Sequence, residues 1–242
     1  MPLRIFVLLG LIFGIWGNAA SQTKTVVIVV MGSSTAEGAG ASPRDSSWVS
    51  RLTRAVRKDL TDNADTVVYN LGLGGTTTYV GRENGFVPPQ GYVGPDPERN
   101  INKALSLNPD IILVNYPSND VANNMSTSTT MGNYQKYHDL AVASRARIYF
   151  LTTQPRNALS DAQKVQIRDQ KDAIISTFPA TNINVWDGLV SSDGFNIHPD
   201  VSAGDGIHVN NTGHRRIFEA VAASSFVGAA LPVTLTKFTA SQ

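Results

Sequence analysis

Gly32-Ser33-Ser34, Gly74-Gly75, Ser118-Asn119-Asp120 and Asp205-Gly206-Ile207-His208 hold a hydroxyl, two close-approach backbone positions, a side-chain amide, and an acid beside an imidazole. A serine hydroxyl becomes a nucleophile only when a neighbouring base takes its proton, and the base needs an acid to hold its tautomer. Ser34 stands where an apolar run must turn into a helix. Gly32 lets that turn be tight, and Thr35-Ala36-Glu37-Gly38 adds no bulk over the hydroxyl. Asp205 and His208, three residues apart, can pair if their segment makes one helical turn, with Ile207 buried to fix it. Attack on an ester carbonyl leaves a negative oxygen that needs preorganised donors. The N–H groups of Ser34 and Gly75 and the amide of Asn119 are the candidates.

Each stretch also has a plainer reading. Ser33 or Ser34 can cap a helix, Gly75 can serve a β-turn, and Asn119 an Asx-turn. His198, with Asp193 or Asp200 nearby, competes with His208 as base. We favour His208 because the last loop of an open α/β sheet faces its functional rim. His138, His198 and His214 then read as structural. Metal-assisted hydrolysis through His198, Asp200, Asp205, His208 and His214 finds little support, because no two histidines stand at i, i+4 on a clear helix face. No metal or cofactor is expected.

All four stretches follow apolar runs that read as strands. Thr25 to Met31 is β-branched throughout, the pattern of a central strand buried on both faces. Further strands are expected over Thr66 to Leu71, Asp110 to Asn115, Arg147 to Leu151 and Asn182 to Trp186. Helices are expected after a Ser46 or Ser47 cap (Trp48, Leu52, Ala55, Val56, Leu60), near Glu98 to Leu105, and over Met131 to Ser144. Two more cover Asp161 to Phe178, opened by a Ser160/Gln163 capping box, and Thr212 to Ala223. Alternating strands and helices imply right-handed crossovers and a three-layer α/β/α sandwich, its five-stranded parallel sheet in the flavodoxin-like order 2-1-3-4-5.

At 242 residues, 42% hydrophobic and 16% charged, the chain suits one α/β domain. Residues 1–21, with Arg4 before Ile5-Phe6-Val7-Leu8-Leu9 and Ala19-Ala20-Ser21 at the end, have the pattern of a signal peptide cleaved before Gln22. Arg4 is the leader's single charge, so the rest is formally neutral, which invites neither nucleic acid nor an anionic membrane. The absence of cysteine excludes disulfides, thiolate metal sites and a cysteine nucleophile. The domain is expected over residues 22–228. A strand-like tail over 229–242 resembles the start of a β-sandwich sorting domain. The long Gly- and Pro-rich loop from Thr76 to Pro97, with Tyr79, Phe86 and Tyr92, is expected to be a substrate-facing wall.

Taken together, these blocks resemble the SGNH hydrolases, also called the GDSL esterase family. The first is Gly32 to Gly38, the second Asn70 to Thr77, the third Ser118 to Asp120, and the last Asp205 to His214. The resemblance implies Ser34 as nucleophile, His208 as general base, Asp205 as its orienting acid, and Ser34, Gly75 and Asn119 as the oxyanion hole. Two positions depart from the family: Ser33 stands where an aspartate is usual, and Pro117 replaces a glycine. A polar rim of Thr76, Thr77, Thr78, Asn115, Asn119 and Gln154 favours a secreted or periplasmic esterase that removes short acyl groups, acetyl above all, from a small-molecule or polysaccharide ester. A lysophospholipase or arylesterase is the alternative, ahead of a non-catalytic carbohydrate-binding module.

Overall fold

The β-branched run near the start of the chain becomes the centre of a parallel sheet. In this computed structural model, which describes residues 25–58, 66–116 and 118–224, strand β1 spans Val26–Gly32. It pairs in parallel with β2 (Thr66–Asn70) on one side and β3 (Ile111–Asn115) on the other. Strand β4 (Arg147–Leu151) follows β3, and β5 (Asn182–Ile183) closes the far edge. The order is β2-β1-β3-β4-β5, as expected. The leader over 1–21, Leu60, Pro117 and the 229–242 tail lie outside the described residues.

Alternate side chains of β1 feed two different cores. Ile28 and Val30 point to one face, where they meet Trp48, Leu52 and Val56 of α2 (Trp48–Lys58) and Ile217 and Val221 of α7 (Asn211–Ala223). Val29 and Met31 point to the other. There α3 (Ile101–Ser106), α5 (Thr127–Ala143) and α6 (Asp161–Thr177) contribute Ile101, Tyr134, Tyr137 and Ile174. A sheet covered on both faces buries β1 and β3 almost completely, which explains why their sequences show no polar alternation. Two short helices, α1 (Ser34–Glu37) and α4 (Ser118–Ala122), rise directly from the ends of β1 and β3.

Several boundaries differ from the sequence expectation, each for a local reason. Helix α3 starts at Ile101 and α5 at Thr127, because the side chains of Asn100 and Ser126 accept from the N–H groups of Lys103 and Thr129. These are N-caps that apolar periodicity does not reveal. The Ser160/Gln163 capping box is present as expected. Strand β5 is cut to two residues because the hydroxyl of Thr152 accepts from the N–H groups of both Val185 and Trp186, drawing the chain off the sheet.

His214, read as structural, is fully buried and joins three elements. Its Nε2 donates to the Ala39 carbonyl at 2.9 Å, just past α1, and its Nδ1 accepts from the Trp48 N–H at 3.4 Å, at the start of α2. This pairing requires the neutral ring. Burial lowers the pKa of His214 from its ordinary value, more than the Ala39 hydrogen bond raises it. The unfolded chain therefore takes up this proton at a higher pH than the folded one. Stability is greatest above the unfolded pKa of about 6.5 and is lost as pH falls toward the depressed folded value. We predict that acidification from about pH 7.5 to 5.5 lowers the melting temperature more in the wild type than in His214→Gln. Equal shifts in a calorimetric comparison would remove His214 as a source of this dependence.

Candidate active site

Ser34 is the first residue of α1, and its position is set by backbone on both sides. Ser33 N–H donates to the Asn115 carbonyl at the end of β3, while Glu37 N–H and Gly38 N–H close the turn onto Ser33 and Ser34. Trp48 Nε1 donates to the Thr35 carbonyl at 3.1 Å and ties the short helix to α2. Ser33 is buried and its side chain makes no capping bond, so the simple capping role open to either serine is not what the pair does. The Ser34 hydroxyl is half-buried and lies 2.9 Å from His208 Nε2.

The histidine is aimed by its own loop, but not in the way its spacing suggested. Residues 205–208 form no helical turn. Asp205 Oδ1 accepts from the N–H groups of both Ile207 and His208 at 2.8 Å, an Asx-type turn for which Gly206 adopts a φ of 73°. Ile207 is only half-buried; the anchor is the next residue, Val209, which is fully buried. Asp205 Oδ2 lies 2.6 Å from His208 Nδ1. Partial burial raises the Asp205 pKa, but the donors from His208 and Ile207 outweigh it and hold the carboxyl at about 2. A carboxylate can only accept here, so Nδ1 carries the proton and Nε2 turns its lone pair toward the Ser34 hydroxyl.

Beside this pair runs the turn after β2. Asn70 Nδ2 donates to the Ala36 carbonyl and its Oδ1 accepts from Gly72 N–H, fastening the turn to α1. Glu37 Oε2 accepts from Gly74 N–H at 2.7 Å. A Cβ added at Gly74 would lie 3.6 Å from that of Ser34, so this backbone passes close to the hydroxyl. Gly75 is exposed with φ of 78° and open space where a Cβ would be. Its glycine thus serves the left-handed backbone rather than relieving a clash.

Asn119, on α4, completes the ring of groups. Its Nδ2 donates to the Thr76 carbonyl at 3.0 Å and its Oδ1 accepts from Arg156 Nη1 at 3.0 Å. Next to it Asp120 is fully buried and accepts from Thr78 N–H and from the hydroxyls of Thr78 and Thr130. Burial pushes its carboxyl up to about 6 against those three hydrogen bonds.

The expected polar rim is largely interior. Thr76, Thr77, Thr78, Asn115 and Gln154 are all buried, so they brace the site rather than face a ligand. Gln154 is the clearest case. Its Oε1 accepts from the Thr35 hydroxyl at 2.7 Å and its Nε2 donates to the Ile207 carbonyl at 2.9 Å, bridging the residues adjoining Ser34 and His208. Ala158 N–H adds a second bond to the Gly206 carbonyl. Gln154 and Arg156 follow β4, and the rule that strand ends share one rim applies to them as it does to Ser34.

His198 does not compete for the serine; its Nδ1 accepts from Asp200 N–H in a local turn, and Asp193 is likewise bound to Ser191, Phe195 and Asn196. Among the described residues no group of three or more His, Cys, Asp or Glu side chains is placed to hold a metal ion. No helix among them is long and apolar enough to cross a membrane.

The loop from Thr76 to Pro97 is folded against α4 and α5. Tyr79 stacks on Phe86 and meets Tyr92 edge-on, Arg82 lies 3.9 Å above the Phe86 ring, and Tyr92 donates to the Asn123 carbonyl. Together with Ser128, Thr129 and Gly132 of α5, Tyr79, Arg82 and Phe86 line an open cleft.

With this arrangement in view, the chain belongs to the GDSL-like lipase/acylhydrolase family, whose model matches residues 30–216. That is a family of carboxylic ester hydrolases. Solved structures share the fold at low identity. A two-domain esterase active on acetylated mannans is 16% identical, with 88% of this chain and 51% of that one covered at a TM-score of 0.60. TesA is also 16% identical, with 85% and 98% covered and a TM-score of 0.58. A GDSL-like lipase from Bacteroides thetaiotaomicron is 18% identical, with 81% and 85% covered and a TM-score of 0.54. No curated protein sequence matches the chain significantly.

If Gln154 holds the two halves of the site in register, Gln154→Leu will reduce kcat/KM for p-nitrophenyl acetate by about 10- to 100-fold, the scale of an ångström-sized misplacement. Full activity in a folded Gln154→Leu protein would show that the bridge is dispensable.

Proposed function

We propose that this protein is a serine esterase that releases short acyl groups, acetyl above all, from carbohydrate esters through an acyl-enzyme. The observation that carries the reading is the unbroken chain from Asp205 Oδ2 to His208 Nδ1 at 2.6 Å and from His208 Nε2 to Ser34 Oγ at 2.9 Å. In this reading His208 Nε2 takes the Ser34 proton as Oγ attacks the ester carbonyl. Asp205 holds the ring and stabilises the imidazolium that forms. The tetrahedral oxyanion is received by the N–H groups of Ser34 and Gly75 and by Asn119 Nδ2, each donor contributing about 3 to 4 kcal/mol. Collapse expels the alcohol, which leaves with the proton from His208. Water, deprotonated by the same imidazole, then cleaves the acyl-enzyme.

Support for the carbohydrate substrate is of two kinds. A protein of the same fold acts on acetylated mannans. In this chain the loop leaving Gly75 and helix α5 form an open cleft whose walls include Tyr79 and Phe86. Aromatic rings of this kind present an apolar face with polar edges. Export through the 1–21 leader fits a polymeric substrate outside the cell. A more apolar ester, such as a lysophospholipid or aryl ester, is the second reading. What favours it is the exposure of Val87 (84%) and Val93 (74%) on the same loop.

Ser34→Ala should abolish hydrolysis of p-nitrophenyl acetate, and His208→Ala should cost about 100- to 10,000-fold. The wild-type activity should survive a chelator; loss on chelation would favour the metal route instead. Acetate release from a panel of acetylated polysaccharides tests the substrate. A rate rising steadily with acyl length would reject the acetyl assignment and favour the apolar alternative.

A further inference from the structure

Arg156 occupies a position that its charge makes costly. The guanidinium is only partly exposed, its Nε is buried with no hydrogen-bond partner, and desolvation lowers its pKa even though the Asp205 carboxylate draws it up. A buried N–H without a partner is destabilising, so the rest of the side chain must be held there by something. The contact that holds it is specific: Nη1 to Asn119 Oδ1 at 3.0 Å.

Asn119 carries two chemically opposite ends. Nδ2 uses one N–H on the Thr76 carbonyl, which leaves the other for a ligand, whereas Oδ1 would repel a developing oxyanion. A primary amide turned end for end fits nearly the same space. Only its hydrogen-bond partners distinguish the two poses. The Thr76 carbonyl can only accept, so it demands Nδ2; the guanidinium can only donate, so it demands Oδ1. Thr76 lies in the loop after β2 and Arg156 in the loop after β4, on either side of α4.

We propose that Arg156 is a positioning residue that locks the Asn119 amide with its N–H toward the oxyanion. It acts by saturating Oδ1 from the side opposite Thr76. The proposal rests on Asn119 being an oxyanion donor. Because an oxyanion exists only in the transition state, losing the lock reduces kcat and leaves KM nearly unchanged. The Thr76 contact alone then sets the amide, which spends part of its time reversed.

The test is a double-mutant cycle on p-nitrophenyl acetate hydrolysis with Arg156→Met, which keeps the apolar stem and removes both the charge and the orphaned Nε. In the wild-type background kcat should fall about 10- to 100-fold with KM within twofold, less than the 100- to 1,000-fold expected for Asn119→Ala. In the Asn119→Ala background the same change should alter kcat by less than twofold, since no amide remains to be oriented. Arg156→Lys, which keeps a donor without the planar fork, should recover part of the loss. Melting temperatures of all variants confirm that folded proteins are compared.

Equal losses from Arg156→Met in both backgrounds, or a change confined to KM, would overturn the proposal and make Arg156 a substrate contact or a general electrostatic contributor. An inert Asn119→Ala would instead overturn the oxyanion assignment on which it rests. The two failures are thus distinguishable.

Discussion

The levelled ends of neighbouring parallel strands are the constraint on which this site depends. Gly32, the last residue of β1, is in register with Asn115, the last of β3, and Ser33 N–H is bonded to the Asn115 carbonyl across the gap. The chain therefore leaves both strands at one height. Ser34 and the amide-bearing α4 emerge as neighbours although their sequence positions are far apart. Parallel pairing forces every connection to cross back over a face, and right-handed crossovers return each strand end to the same rim. The bond between Ser34 and His208, across a separation of 174 residues, is the product of that geometry.

A second layer of polar contacts converts nearness into aim. Gln154 bridges Thr35 and Ile207; Glu37 holds Gly74; Asp120 gathers Thr78 and Thr130; His214 joins the segment after α1 to α2 and α7. All but Glu37 are buried. Buried polar groups are stable only with their partners in place, which gives each of these links a single admissible geometry. Asp120 shows the strength of the burial involved, since three donors do not bring its carboxyl back to its ordinary range. Such contacts are a means of holding loops at a rim where little apolar packing is available.

Much of this organisation was legible in the residue order. The five strands, their sheet order, the capping box at Ser160 and the pairing of Asp205 with His208 followed from apolar periodicity, turn chemistry and spacing. What went astray was local and polar. The turn at 205–208 is closed by a carboxylate accepting two backbone N–H groups rather than by helical bonds, and Val209 rather than Ile207 is its anchor. Thr76, Thr77, Thr78 and Gln154 read as a ligand-facing rim because polar residues near strand ends usually are exposed; here all four are buried, and Thr78 and Gln154 are held by Asp120 and Thr35, which lie 42 and 119 residues away in sequence. The caps at Asn100 and Ser126 were hidden for a related reason, since a capping side chain looks like any other loop residue until its backbone is placed.

The sequence by itself determined which chemistry is available: a serine without cysteine competitors, an acid and an imidazole in one short segment, and glycines at the turns beside them. It also determined the sheet, because side-chain alternation and helical period are properties of neighbouring residues. Only the tertiary structure decided how the 205–208 turn is closed, which polar residues are scaffold, and that Arg156 faces Asn119. The last two outcomes depend on distances between segments remote in sequence, and such distances are set by the packing of helices on both faces of the sheet, not by any local pattern.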